Sequence, residues 1–172
     1  MARQLTADDA KQSLAAHVGA KGAEIFAKYG PQIGWAQLQA ILGDPACVRY
    51  PCRLEFDAAA LQPGEIAHPE PLGGRPEDGY TLHVHPVYQS QLEMVPYVAL
   101  YQLVLVNYGV FASADDAEIF AATALGLDRE LYYQALCHLA DQVATADAPT
   151  PGGAAPASAS GCGSSCGCGG AR

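Results

Sequence analysis

Three cysteines near the carboxyl end of the chain have the spacing of a metal-binding segment. Cys162, Cys166 and Cys168 form a C-x3-C-x-C pattern in which every spacer residue is Gly or Ser. Small spacers let the backbone bend tightly, so several thiolates can turn toward one ion. Three sulfur ligands suit a soft or borderline metal such as Cu(I), Zn(II) or Ni(II), with a fourth ligand from elsewhere. The alternatives are a low-complexity extension without specific chemistry and a redox or modified-peptide segment.

Two histidines form a second candidate metal site. His83 and His85 are separated by one residue in a segment that alternates like a β-strand, so we expect both imidazoles on one face. Paired imidazoles are a common start to a metal site, and His68, Glu93 or Cys52 could supply a third ligand. The alternative is a pair on the solvated face of a small sheet that binds no metal.

The remaining cysteines lie in the folded part. Cys47 and Cys52 are too far apart in sequence for a typical zinc knuckle, and the sequence offers no second cysteine pair to complete such a site with them. Cys137 follows Leu136 in a helical segment, where we expect a small buried apolar residue.

The elements that position these residues are mostly helices. The spacing predicts a first helix capped by Thr6 and Asp9, which Gly30-Pro31 ends and which Gly19 and Gly22 weaken. A shorter helix follows near residues 35–42. After the strands come an apolar helix at 97–108, a helix capped by Ser113 with Asp116, and a last helix capped by Asp128.

The strands are fewer and shorter. Residues 52–56 and 80–85 alternate in polarity and predict two strands, with a third strand expected at 46–49. Between them, residues 58–79 are rich in Pro and Gly and predict a long loop. We therefore expect an α+β fold, mainly helical with a small antiparallel or mixed sheet of two or three strands.

Composition divides the chain into three parts. Residues 1–142 predict one globular α+β domain, residues 143–160 an Ala/Pro/Gly linker, and residues 161–172 a cysteine-rich tail. The net charge of −9 repels phosphate backbones and anionic headgroups, which argues against nucleic-acid and membrane partners. The polar start and the lack of a long apolar run predict a soluble, cytoplasmic protein.

Two resemblances extend these expectations. The tail resembles the short C-x2-C-G-C nickel-binding segment of hydrogenase-maturation GTPases, with one more residue in the first gap and at the opposite terminus. Residues 80–139 resemble the core of zincin metallopeptidases of the ImmA/IrrE type, because residues 116–122, D-A-E-I-F-A-A, are similar to a segment that carries an acidic zinc ligand in that family. Asp116 matches that ligand. The resemblance implies a degenerate zincin-like fold.

The zincin resemblance does not extend to the catalytic motif. Tyr101-Gln102-Leu103-Val104-Leu105 occupies the stretch where H-E-x-x-H is expected, and no histidine lies between His85 and His138. The pattern therefore lacks both imidazole ligands and the general base. Burial of Tyr101 and Gln102 with no adjoining cleft would favour an interaction role over a hydrolase, as would an exposed apolar patch near Tyr88, Tyr132 or Tyr133.

Three functions follow from these observations. The first is a non-enzymatic, soft-metal-handling protein that binds the ion through its tail and docks with a protein partner. The second is a catalytically inactive zincin-like interaction module, and the third is a metal-dependent enzyme with its site at His83 and His85. The missing nucleophile elbow, phosphate loop and dinucleotide fingerprint favour a non-enzymatic protein.

Overall fold

The computed structural model describes residues 6–148, which form an α+β fold of five α-helices and a three-stranded sheet. The tail cysteines Cys162, Cys166 and Cys168 lie outside the described residues. The helices are α1 (Ala7–Tyr29), α2 (Trp35–Leu42), α3 (Val95–Tyr108), α4 (Ala114–Leu125) and α5 (Arg129–Asp147). Short 3-10 helices cover Pro76–Asp78, Pro86–Ser90 and Gly109–Phe111.

The sheet is mixed, with its last strand in the centre. Its strands are β1 (Cys52–Phe56), β2 (Ala67–Pro71) and β3 (Tyr80–Val84), in the order β1-β3-β2. β1 runs parallel to β3, and β2 runs antiparallel to it. The expectation of a small antiparallel or mixed sheet of two or three strands is confirmed, and the structure shows it to be mixed and three-stranded.

One of the predicted strands was misplaced. Residues 46–49 form a turn and bend, and the third strand lies at Ala67–Pro71, within the stretch predicted as loop. Pro69 and Pro71 argue against a strand in sequence, because proline cannot donate to a ladder. An edge strand tolerates them where the missing N–H groups would point away from the neighbouring strand.

Helix α3 forms the centre of the core. Leu100, Leu103 and Val104 are fully buried, which agrees with a segment that is apolar nearly all round. One end of α3 packs with α1 and α4, and the other faces β2, β3 and the inner residues of α5. Among residues 6–148, no helix is both long and apolar enough to cross a membrane.

Helix boundaries agree with the predicted caps. The Thr6 and Ser113 side chains accept hydrogen bonds from the backbone of Asp9 and Asp116, and both form capping boxes. Asp128 caps α5 by accepting from the Glu130 N–H.

The last helix is longer than predicted. α5 continues to Asp147, and Val143 is fully buried against the second half of the core. Residues 143–147, predicted as the start of the linker, are therefore part of α5.

Candidate functional site

The His83 side chain lies on the face of the sheet opposite α3. Alternation along β3 sends Leu82 and Val84 into the core and His83 to the other face, where its Nε2 lies 3.0 Å from Glu70 Oε2 on β2. The residue is 6% exposed, and its buried Nδ1 has no hydrogen-bond partner among the described residues. The imidazole is thus held on one side only.

His85 serves a different purpose from His83. It follows the end of β3 and caps the 3-10 helix Pro86–Ser90, because its Nδ1 accepts a hydrogen bond from the Val87 N–H at 3.2 Å. This bond places the ring proton on Nε2, which lies 3.2 Å from Asp147 Oδ1 in the last turn of α5. Both nitrogens of His85 are therefore engaged in structural hydrogen bonds.

One candidate third ligand, His68, is the register partner of His83 in the β2–β3 ladder, and its Nδ1 lies 3.4 Å from Glu65 Oε1. Glu93 is exposed, and Cys52 lies on β1. Within residues 6–148, no group of three His, Cys, Asp or Glu side chains is arranged to hold a metal ion. A metal at His83 and His85 would need a ligand from outside that range.

The cysteines of the folded part differ in chemistry. Burial, assisted by a hydrogen bond from the thiol to Asp44, raises the pKa of Cys47 to about 11. Burial also raises the pKa of Cys52 to about 11. Both are protonated at neutral pH and are poor nucleophiles and metal ligands. Cys137 is exposed, so the expectation of a buried residue at that position is wrong.

The segment similar to the zincin core has its acidic residue in a structural position. Asp116 is 2% exposed, and its carboxylate accepts hydrogen bonds from the backbone N–H and the hydroxyl of Ser113, at 2.9 Å and 2.7 Å. The residue expected to match the acidic ligand therefore completes the capping box of α4.

Tyr101 and Gln102 face a pocket rather than a sealed core. Both are half-buried, and the Gln102 amide donates to the Ala67 carbonyl oxygen on β2 at 2.8 Å. The pocket, about 330 Å³, lies among β2, α3, α4 and α5. It is lined by Glu65, Ile66, Ala67, Val98, Tyr101, Gln102, Glu118, Tyr133, Leu136, Cys137 and Ala140. The condition that would have favoured an interaction module over a hydrolase is therefore not met at this position, although the lining of the pocket contains no imidazole.

The outer edge of β2 is unsuited to pairing with a peptide. The His85 N–H donates to the Ile66 carbonyl and the Leu72 N–H to the Gly79 carbonyl, so even-numbered residues of this segment bond to β3. The backbone N–H and C=O groups of the odd-numbered residues, Ala67, Pro69 and Pro71, point away from β3 toward the open edge. Pro69 and Pro71 have no N–H to offer there. Gln102 already occupies the carbonyl of the third, Ala67. An extended substrate could not add a regular strand here.

The tyrosines expected near an exposed apolar patch are mostly internal. Tyr88 and Tyr132 are fully buried, and their hydroxyls donate to the carbonyl oxygens of Leu139 and Tyr97. Tyr133 is 49% exposed. Tyr88 and Tyr132 therefore do not themselves contribute to an exposed patch, whereas Leu131, which is 58% exposed, and Tyr133 lie at the surface on either side of Tyr132 in sequence.

Comparison with known proteins adds no relative. No family model matches the chain, and neither a curated protein nor a solved structure is significantly similar to it. The resemblances to zincins and to the nickel-binding segment remain expectations from sequence.

Proposed function

We propose that this chain is a non-enzymatic metal-handling protein that binds a soft or borderline metal ion, Cu(I), Zn(II) or Ni(II), through its tail. The observation that carries the proposal is the C-x3-C-x-C pattern of Cys162, Cys166 and Cys168 with only Gly and Ser between the thiols. Thiolates are the preferred ligands of such ions, and glycine and serine allow the tight bends that convergence requires.

The chemistry of the cysteines in the folded domain supports metal binding by the tail rather than by the domain. Cys47 and Cys52 hold their protons at neutral pH, since their pKa values are raised to about 11. A metal must displace the proton of each thiol that it binds, so these two residues compete weakly with thiols of ordinary pKa.

The pocket beside α3 supports the non-enzymatic part of the proposal. Tyr101 and Gln102 stand where a zincin carries ligand and base, and Gln102 is committed to the Ala67 carbonyl. The two prolines on the adjoining edge oppose the binding of an extended peptide. Neither the metal nor the peptide substrate of a zincin suits these residues.

The proposal is tested by metal content in the full-length chain. We expect about one equivalent of metal after anaerobic titration of the reduced protein with Cu(I), Zn(II) and Ni(II), each in turn. Replacing Cys162, Cys166 and Cys168 together with Ser should abolish this binding. Cys137→Ser, which removes an exposed thiol of the domain, is the matched control and should retain it. Equal trace metal in all three proteins would refute the proposal.

A second candidate function is an interaction role for the folded domain. Val110 and Phe111, between α3 and α4, are 95% and 84% exposed, which is unusual for adjacent large apolar side chains. A photo-crosslinking amino acid at position 111 should capture a protein partner in cells. The same group at position 72, where Leu72 is 51% exposed, is the control. Equal capture at both positions would argue against a specific surface.

A further inference from the structure

A cationic pocket lies between α1, the turn after α2 and the end of α3. Its volume is about 340 Å³, the lower end of the range for small-molecule sites. Its polar and charged lining residues are His17, Lys21, Glu24, Lys28, Cys47, Arg49, Asn107 and Tyr108. Ile25, Pro45 and Ala46 add an apolar wall.

The charge of this pocket is opposite to that of the chain. Lys21, Lys28 and Arg49 are three of only nine lysines and arginines in a chain of net charge −9. Glu24 is the one carboxylate among the lining residues. This concentration of positive charge favours an anionic ligand, because the rest of an acidic surface repels one.

Arg49 is the cation most free to bind such a ligand. Lys21 Nζ lies 2.7 Å from Glu24 Oε2, and Lys28 Nζ lies 2.7 Å from Asp44 Oδ2. Across residues 6–148, the Arg49 guanidinium has no carboxylate partner, and it lies over the Tyr50 ring at 5.3 Å from its centroid. Surface ion pairs contribute little, so Lys21 can also turn toward a competing anion.

The backbone at Arg49 is held by hydrogen bonds to a buried side chain of α3. Asn107 is 7% exposed, and its side-chain oxygen accepts from the Arg49 N–H at 2.8 Å. Its amide nitrogen donates to the Cys47 carbonyl at 3.0 Å. One buried side chain therefore holds both ends of the 47–49 turn and fixes the backbone from which the Arg49 side chain extends.

Tyr108 and His17 add polar groups beside the cations. The His17 and Tyr108 rings meet edge to face with centroids 5.7 Å apart. In the described part of the chain, the Tyr108 hydroxyl makes no hydrogen bond to the protein, so it is available to donate to a ligand. Burial raises the pKa of Tyr108, which keeps this hydroxyl protonated at neutral pH.

We propose that this pocket binds a small ligand through a phosphate group, held by the Arg49 guanidinium with Lys21 and the Tyr108 hydroxyl. A phosphate carries nearly two negative charges at neutral pH and accepts the two parallel N–H bonds of a guanidinium. A monocarboxylate carries less charge and offers fewer acceptor oxygens to the guanidinium, the ammonium and the hydroxyl. Ile25 and Pro45 offer a wall for the organic part of a phosphomonoester. The site is independent of the tail thiols.

The test is NMR titration of the reduced full-length chain, with inorganic phosphate, phenyl phosphate and acetate as probes. We expect saturable shifts of the Arg49, Tyr108 and His17 signals at phosphate concentrations on the order of 1–10 mM, with weaker binding as salt is raised. Tighter binding of phenyl phosphate would identify a phosphomonoester as the ligand class, whereas equal binding would identify free phosphate. Acetate should bind at least about tenfold more weakly.

Two variants make the assignment specific. Arg49→Gln should weaken phosphate binding by about tenfold or more, since a charge-assisted bidentate contact is lost. Arg75→Gln removes the same charge from an exposed position outside the pocket and should change binding less than about twofold. The proposal is overturned if phosphate produces no saturable shift, if acetate binds as tightly, or if both variants behave alike.

Discussion

His85 Nε2 lies 3.2 Å from Asp147 Oδ1, so the end of β3 is joined to the last turn of α5. The other carboxylate oxygen of Asp147 accepts from the Gly64 N–H at 3.0 Å. One side chain thus connects three segments just before the stretch that leads to the tail cysteines.

Because of this connection, we expect the stability of the end of α5 to depend on pH in the acidic range. The Gly64 N–H, followed by His85, lowers the pKa of Asp147 below its ordinary value. Its ionised form therefore stabilises the fold above about pH 4, the unfolded value, and this contribution is lost as pH falls through the lowered folded pKa. The protection factors of the 143–147 amides, which compare the intrinsic exchange rate at each pH with the observed rate, should fall over that range.

Two variants separate this effect from general acid unfolding. In Asp147→Asn, the 143–147 amides should exchange faster than in the wild type at neutral pH. Their protection should change little further on acidification, because the ionisable carboxyl is absent. Asp141→Asn, which alters an exposed carboxylate on the same helix, should keep the wild-type profile. Identical profiles for both variants would show that the Asp147 contacts do not hold the end of α5.

The cysteines of the domain should differ in their rates of alkylation. At pH 8, Cys47 and Cys52 have thiolate fractions roughly a hundredfold below those of ordinary thiols, because their pKa values are raised to about 11. Iodoacetamide should therefore label exposed Cys137 first among the three, as measured by peptide mass spectrometry. Denatured protein is the control, in which the three rates should converge. Rapid labelling of native Cys47 would contradict the raised pKa.

Local signals in the sequence were sufficient for most of the fold. The caps at Thr6, Ser113 and Asp128 are short patterns whose partners lie within three residues, and each was predicted correctly. The strand β2 was missed because the effect of its prolines depends on which edge they face. That edge is set by pairing with β3, which local sequence does not report.

The site residues were harder to predict because their roles depend on distant partners. The alternation of His83 and His85 suggested a shared role, but their partners are Glu70 and Asp147 respectively. The cationic pocket was not predicted at all. It joins His17 to Arg49 and Tyr108, which are far apart in sequence and carry no motif, so only the tertiary structure brings them together.

Asn107 should be important for stability beyond its size. Asn107→Ala leaves the Arg49 N–H and the Cys47 carbonyl without their partner, which should reduce the free energy of unfolding by about 1–3 kcal/mol. Gln134→Ala, at an exposed position of α5, should change it by less than about 0.5 kcal/mol. Urea unfolding measures both values. An Asn107→Ala variant with an unchanged free energy of unfolding would show that the 47–49 turn does not depend on the Asn107 hydrogen bonds.

Two glycines of α1 should respond in opposite ways to alanine, although the sequence suggests that both weaken the helix. At Gly22, α1 approaches α4 so closely that an added Cβ would lie 2.6 Å from the Phe120 carbonyl oxygen. At Gly19, an added Cβ would meet only the Ile119 Cγ2, at 3.4 Å, an ordinary contact.

Gly22→Ala should therefore reduce the free energy of unfolding by about 1–2 kcal/mol, because overpacking outweighs the gain in helix propensity of about 1 kcal/mol. Gly19→Ala should instead increase it, by up to about 1 kcal/mol, since helix propensity acts there without a clash. Urea denaturation of the two variants side by side measures the difference, with the same change of composition in each. If both variants were stabilised equally, the helices α1 and α4 could accommodate a Cβ at position 22 without loss of stability. Their close approach would then not require glycine.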